Sequence, residues 1–545
     1  MDFGAKPRGD KASTARAAAT KRRPEVRQDF WRAALGGARL FAAAVSFALA
    51  LSGCSSPEAK PGCTTHQDCR SLATKDKPYA CNSKQKSCEP LLTKECPKLL
   101  ARDPGGSVPA GTLPNGTIIL GSVLTLTGND ASGGVNPHLA MELAWDEVMQ
   151  NGFTSVKSAS GPSELAILEC DDASEYVSTP DIAAKHLLDV GVPAIIGGTS
   201  TAATYGMAVD VAIPGDALLF SPSATGVALI DIPDDVNKDL VWQTSPSDDH
   251  QARAMAAFIT EILKSQTPPL DPTTATILCL NANDLYGSGL GGAVAGYLKQ
   301  GKNLPNITRF SYDAAHDLPE NVITKELKNG VPDVVILVGY GETAAYATKI
   351  EEKLATSMKK PIYIFSDGGQ DKALWDAAAA DDALRKRIYG TAAGQNSDDA
   401  TFKAFADALN KKANADVAGT FGAPGAYDIV YLLALKAARL VPTKDTRLTG
   451  KDFSDQLKHV NTGAEVKPGP AGFKASLDIA TRGDDFNYTG ASGPLQFDAH
   501  GQPTGDFQIW CIPPSPDPTA PSSQKSSGVS FDTSDKLNGF PPKCD

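Results

Sequence analysis

Few residues in this chain have the types and spacing that covalent chemistry demands. Gly287-Ser288-Gly289-Leu290-Gly291-Gly292 matches Gly-x-Gly-x-x-Gly. In a dinucleotide site the first glycine turns the chain directly off a strand end, so that pyrophosphate reaches the helix N-terminus. Here Asn281 to Tyr286 intervene after the strand-like run Thr276 to Leu280, and the glycines are expected to begin a closely packed helix. Gly-x-x-x-x-Gly-Lys-Ser/Thr, Gly-x-Ser-x-Gly and His-Glu-x-x-His are absent from the sequence. The seven histidines (His66, His138, His186, His250, His316, His459, His500) are scattered and form no local ligand pair. Asp171-Asp172 and Asp248-Asp249 follow strand-like runs or begin a helix, where capping or turn roles are expected. The expectation is a protein that is not an enzyme and uses neither cofactor nor metal.

Two other segments point to binding. Gly197-Gly198-Thr199-Ser200-Thr201 and Ser221-Pro222-Ser223-Ala224-Thr225 each lie between an apolar run and a helical pattern. In an open α/β sheet, ligands bind beyond the carboxyl ends of strands. Hydroxyls and backbone N–H groups at a helix start suit a carboxylate, because the dipole and the unpaired donors favour negative charge there.

The elements that must position these segments alternate. Thr117 to Leu120, Leu165 to Leu168, Ala194 to Ile196 and Leu218 to Phe220 read as strands. Helical patterns follow at Pro137 to Gln150, from Pro180 with Thr179 as N-cap, and at Thr201 to Ala212. After Ser247, another N-cap, a helix is expected to about Leu263. Thr276 to Leu280, Val334 to Val338 and Ile362 to Phe365 are the next strands. The pattern predicts parallel sheet with helices on both faces, and the number of units predicts two α/β lobes. From Ile512 onward Pro513, Pro514, Pro516, Pro518 and Pro521 predict an irregular tail pinned by Cys544.

The chain has 545 residues, 41% of them hydrophobic, which is ample for a folded core. Its net charge of -11, with no basic cluster after the first fifty residues, argues against nucleic acid as a partner. At the N-terminus, Lys21, Arg22, Arg23, Arg27, Arg32 and Arg39 precede an apolar run from Leu40 to Leu51. That run has the length of a signal-peptide core and is too short to span a bilayer. Ser52-Gly53-Cys54 at its end resembles a lipobox, which implies cleavage before Cys54 and lipidation of that cysteine. Of the remaining cysteines, Cys63, Cys69, Cys81 and Cys88 sit in a segment too polar to build a core, so two disulfides are expected there; zinc is the competing reading. Cys96, Cys170, Cys279, Cys511 and Cys544 are odd in number, so at least one is free or paired between chains.

A set of landmarks in order gives the function its direction: Leu124-Thr125-Leu126-Thr127-Gly128, Asp171-Asp172, Ile195-Ile196-Gly197, Ser221 to Thr225, Trp242-Gln243-Thr244-Ser245-Pro246-Ser247-Asp248, Asn283-Asp284-Leu285-Tyr286-Gly287, Tyr427-Asp428 and Gly493-Pro494-Leu495-Gln496-Phe497-Asp498. From roughly Gly116 to Ile512 the chain resembles the type I periplasmic binding proteins, in particular the branched-chain amino-acid-binding proteins of ABC importers. The resemblance implies two Rossmann-like lobes joined by three crossovers, with the ligand buried in the cleft. By position, Thr201, Ser223, Ala224 and Thr225 look like carboxylate-binding groups, while Tyr286 and Tyr340 look like residues that close over the ligand. Asp367 sits where the family places the acid that receives an α-ammonium, although the nearest amino-acid binders carry the longer Glu. Near Asn129 and Asp130 the aromatic that often covers an aliphatic side chain is missing.

The expected organisation is a leader (1–53), a lipid-anchored disulfide-rich segment (54–97) and a linker (98–115). The first lobe follows (116–246), then the second (247–390), a return to the first (391–489), a closing segment of the second (490–512) and the tail (513–545). The implied role is capture of a small polar ligand, an amino acid or a relative, in the bacterial envelope on the periplasmic side. A membrane-embedded ABC permease is the implied partner. A ligand sensor acting on a membrane receptor is the alternative.

Overall fold

The computed structural model describes residues 60–74, 76–82, 84–101, 113–128, 131–175, 178–235, 238–302, 306–313, 320–394, 399–515 and 523–544. The expected leader, Cys54, Asn129 and Asp130 lie outside the described residues.

Two sheets organise the molecule. The first runs in the order Val241–Gln243, Leu218–Ser221, Ala194–Gly197, Thr117–Leu124, Glu164–Asp171, Lys98–Leu100. All its pairings are parallel except the last, where Lys98–Leu100 lies antiparallel on Glu164–Asp171. The first residues of the expected linker therefore form an edge strand. Thr117–Leu124 is buried along its whole length. A strand covered on both faces needs no polar alternation, which is why this one reads as a continuous apolar run.

The second sheet runs Ile307–Tyr312, Ile277–Ala282, Val334–Val338, Ile362–Phe365, Ile388–Ala393, then Phe507–Cys511, Lys525–Phe531 and Leu537–Asn538. Its first five strands are parallel and its last three antiparallel. The tail expected to be irregular thus supplies two strands. The reason is local: Ser527, Val529 and Phe531 alternate inward while their neighbours face solvent, and a disulfide ties Cys511 to Cys544.

The chain passes three times between the halves. After Val241–Gln243 it enters helix Asp248–Lys264, whose apolar face packs on the second sheet. After Ile388–Ala393 it returns through helix Ala400–Ala413, whose Phe405 joins the first core. The third passage lies between Phe497 and Phe507, later than the boundary expected at 490. Phe497 remains with the first half because it packs edge-on against Phe220 and Trp242.

Helix boundaries follow local chemistry with small shifts. Helix Ser178–Val190 begins before the Thr179 cap that was expected, with Ser178 and Thr179 hydroxyls donating to Glu175. Ser247 caps Asp248–Lys264 as expected, accepting from Asp249 N–H at 3.2 Å. Helix Ala423–Lys444 is buried nearly all round and packs on Ser132–Gln150.

The cysteine-rich segment forms a small module stapled by Cys63–Cys81 and Cys69–Cys88, with hairpin strands Tyr79–Asn82 and Ser87–Pro90. Disulfides, not zinc, join these cysteines. Cys96–Cys170 bonds the module's end to the first sheet, and Asn82 Nδ2 donates to Asp189 O at 2.7 Å on helix Ser178–Val190. Among the described residues Cys279 is the free thiol, and it is buried.

Candidate ligand-binding site between the two sheets

Strand ends and helix starts bring most of the named residues to the region where the chain crosses between sheets. On the first-sheet side, Ser200 caps the helix that starts at Thr201, accepting from Ala203 N–H at 3.2 Å. Thr201 Oγ1 accepts from Gly226 N–H at 3.1 Å, so the two hydroxyl-rich loops touch. Part of the expected carboxylate cradle is already engaged. Ser223 Oγ donates to Thr199 O at 2.8 Å, and the N–H groups of Ser223 and Ala224 both point at Ser221 Oγ. Gln243 Nε2 donates to Ala224 O.

On the second-sheet side, Tyr286 OH donates to Asp367 Oδ1 at 2.6 Å, and Gln251 Nε2 donates to the same oxygen at 2.9 Å. Gln251 is itself held by Thr391 Oγ1 at 2.9 Å. Tyr340 lies against Tyr286 with ring centroids 5.4 Å apart and donates to Asp284 Oδ2 at 2.9 Å. Asp248 bridges the sides: its N–H donates to Thr225 O at 2.8 Å, and its carboxylate lies among Asp367, Asp284 and Tyr286. Thr201, Ser223, Ala224, Thr225, Tyr286 and Asp367 are all buried and Tyr340 is half-buried.

Helix Leu285–Lys302 comes close to the first half here. A Cβ at Gly289 would stand 2.9 Å from Val227 Cγ2, so a larger residue there would force Val227 or the helix to shift. Gly287 and Gly291 similarly lie against the strand Ile277–Ala282, which is the packing role expected of this glycine run. A separate crevice of about 350 Å³ lies where the disulfide module meets the first sheet, lined by Thr64, His66, Lys86 and Arg447 among others.

Electrostatics set this cluster apart. Burial raises the carboxyl of Asp367 above the ordinary range, against the hydrogen bonds from Tyr286 and Gln251 that favour its charged form. Burial raises Asp248 further, and repulsion from Asp367 and Asp284 adds to it; of the groups that shift Asp248, only the Thr225 hydroxyl favours its charge. Among the described residues no Lys or Arg forms an ion pair with Asp248, Asp284, Glu342 or Asp367.

Asp248 corrects the sequence reading. Its neighbour Ser247 does the capping, while the Asp248 side chain is fully buried and caps nothing. Gln251, one helical turn on, was not anticipated either. The signal available was their i, i+3 spacing, which puts both on one face of a helix leaving the crossover. Asp171 and Asp172 do the turn work expected: Asp171 accepts from Leu126 N–H, Thr127 N–H and Ala173 N–H, and Asp172 from the Thr125 hydroxyl. Asp428 is likewise structural, accepting from the N–H groups of Ala491 and Ser492.

Comparison with known proteins agrees with this architecture. A family model described as Periplasmic binding protein matches residues 117–504. No curated protein sequence matches the chain. Among solved structures, the leucine-binding protein LivK of Thermotoga maritima superposes with a TM-score of 0.57 at 14% identity, covering 77% of this chain and 100% of that one. The isoleucine complex of LivJ from Streptococcus pneumoniae gives 0.53 at 18% identity, covering 75% and 99%. A solute-binding protein of Rhodopseudomonas palustris BisB5, complexed with 3,4-dihydroxybenzoic acid, gives 0.55 at 14%, covering 76% and 97%. At these identities the likeness establishes the shared fold. With the family model spanning most of the two-sheet body, the chain belongs to the periplasmic binding proteins, with a mixed α/β fold of the two-lobe type I class.

Proposed function

We propose that this protein is an extracytoplasmic solute-binding lipoprotein. It takes up a small amino-bearing ligand between its two lobes and hands it, chemically unchanged, to an ABC permease. The observation that carries the reading is Asp367, a buried acid held in place by Tyr286 and Gln251 and, among the described residues, in no ion pair with a Lys or Arg. Linked to it through Asp248, whose N–H donates to Thr225 O, are the loops 197–201 and 221–226, rich in hydroxyls at a helix start. An ammonium at one side and a carboxylate at the other would complete the charges. Membership of a family of binding components rather than enzymes supports the absence of covalent chemistry.

Magnitudes explain the enclosure. Micromolar binding is about -8 kcal/mol. Spread over about nine heavy atoms this approaches the ceiling for very small ligands, so nearly every ligand group must be contacted. Two lobes that close around the ligand achieve that, and the closed shape is what a permease can distinguish from the empty one.

The test is calorimetry on the full chain against a panel of amino acids. Asp367→Ala should weaken binding of the amino-acid ligand at least tenfold while circular dichroism stays unchanged. Unaltered affinity in that variant would remove Asp367 from the site. A sensing role for the same clamp draws support from the disulfide module docked on the first lobe, which gives the molecule a second surface besides the cleft. Loss of ligand uptake in cells lacking the protein favours delivery; normal uptake with an altered envelope response favours sensing.

A further inference from the structure

The acids at the base of the site exceed what a single ammonium needs. Asp367 already has two donors, Tyr286 OH and Gln251 Nε2. Asp248 is worse served: it is 0% exposed, neither carboxylate oxygen meets a donor in full hydrogen-bond geometry, and the Thr225 hydroxyl is the one group near it that favours its charge. Gln251 spends its amide N–H groups on Asp367 and Thr391, which leaves its Oε1 equally without a donor. Three buried acceptors, on two residues three apart on one helix, are therefore left without a donor in hydrogen-bond geometry. A buried polar atom in that state costs roughly 1–3 kcal/mol, more if charged, so such groups are rare unless something else fills them. An ammonium has three N–H donors and a guanidinium five.

The surroundings repeat the sign. Asp284 stands within electrostatic reach of Asp248 and is held by Tyr340, and Glu342 accepts from Tyr340 N–H and Tyr312 OH. Tyrosines hold these acids in place without neutralising them, and no described ion pair does so either. Acids without a described cation of their own, joined to the hydroxyl-rich loops through Asp248, make a receptor for positive charge.

We propose that the ligand bears two cationic groups, as a dibasic amino acid or a diamine does, with Asp367 receiving one and Asp248 with Gln251 Oε1 receiving the other. This rests on the cleft being the binding site and narrows the class of solute it takes. The competing arrangement is a neutral Asp248 whose own hydroxyl donates to Gln251 Oε1, a purely structural contact one helical turn long.

The experiment is calorimetry at pH 7.5 on the full chain with L-lysine, L-arginine, 1,5-diaminopentane, L-leucine and 4-hydroxybenzoate. The expected result is that lysine, arginine or the diamine binds at least tenfold more tightly than leucine. Asp248→Asn, which removes the charge and can supply the donor that the competing contact to Gln251 Oε1 needs, should then reduce that preference at least tenfold. An unchanged preference in Asp248→Asn assigns the residue the structural contact and overturns the proposal. Leucine binding as tightly as lysine, arginine and the diamine in the wild-type chain also overturns it, whatever the variant does, and leaves the amino-acid reading of the cleft standing. Binding of 4-hydroxybenzoate alone, or of no compound in the panel, sinks both.

Discussion

Lys436 shows what a single buried charge does to this molecule. Its side chain is enclosed in the first lobe, its Nζ donates to His459 O at 3.2 Å and sits 3.9 Å from the centre of the Phe486 ring. Burial is the main cause that pulls its pKa from 10.5 down to about 7, with Arg439 adding to it. Between those values the unfolded chain binds a proton that the folded chain does not, so stability rises as pH rises from about 7 toward 10.5. Melting temperatures should therefore climb between pH 7 and pH 9, by several degrees more in the wild-type chain than in Lys436→Met. Parallel pH curves for the two proteins would rule this out. Asp428 works in the opposite direction. Burial lifts its carboxyl to about 6, so the folded chain holds its proton longer and stability declines as pH rises from about 4 to 6. A Cβ at Gly490 would press within 2.2 Å of Asp428 Oδ2, so Gly490→Ala should lower the melting temperature through this same cluster, as a thermal scan at pH 7 would show. Residue-level features with local causes were legible in the sequence: Ser247 as a cap, Asp171 as a turn residue. Asp248 was not, because its burial depends on Asp367 and Tyr286, which reach it from distant parts of the chain.

Among elements, the parallel strands were the easiest to read. Val334–Val338 and Ile362–Phe365 are buried on both faces, and an uninterrupted apolar run has little else to become. The edges were hidden. Lys525–Phe531 has an inward face of only Ser527, Val529 and Phe531, and Pro-rich neighbours mask that alternation. Lys98–Leu100 is three residues long and takes its register from Glu164–Asp171. Because the strands after Phe507–Cys511 form the end of their sheet, the Cys511–Cys544 bridge matters to them more than to the centre. Closing a loop of sequence separation 33 restricts the unfolded chain by about 3–4 kcal/mol. Replacing both cysteines by serine should lower global stability by up to that amount. Amide exchange should accelerate first in 525–538, with Val334–Val338 protected as before; uniform acceleration would show that the bridge supports the whole sheet instead.

For the molecule as a whole, alternation of strand and helix was enough to anticipate two lobes, and the ordered landmarks gave their family. The place of the third passage was not legible, since Phe497 is assigned to the first core by contact with Phe220 and Trp242 rather than by any local signal. No helix among the described residues is long and apolar enough to cross a membrane. The proposed attachment through Cys54 has its own test: Cys54→Ala should leave the protein in the soluble fraction or uncleaved, as fractionation and mass spectrometry would report. A processed variant still in the membrane fraction would refute lipidation.

The bond between Cys96 and Cys170 has a mechanical consequence. It welds the N-terminal knob to one sheet, so whatever grips the front of the chain grips that sheet as well. On the proposed clamp reading, the opposite jaw, reached through three passages of backbone, would be the part that swings. A docking partner would meet one parked half and read the ligand from the angle of the other.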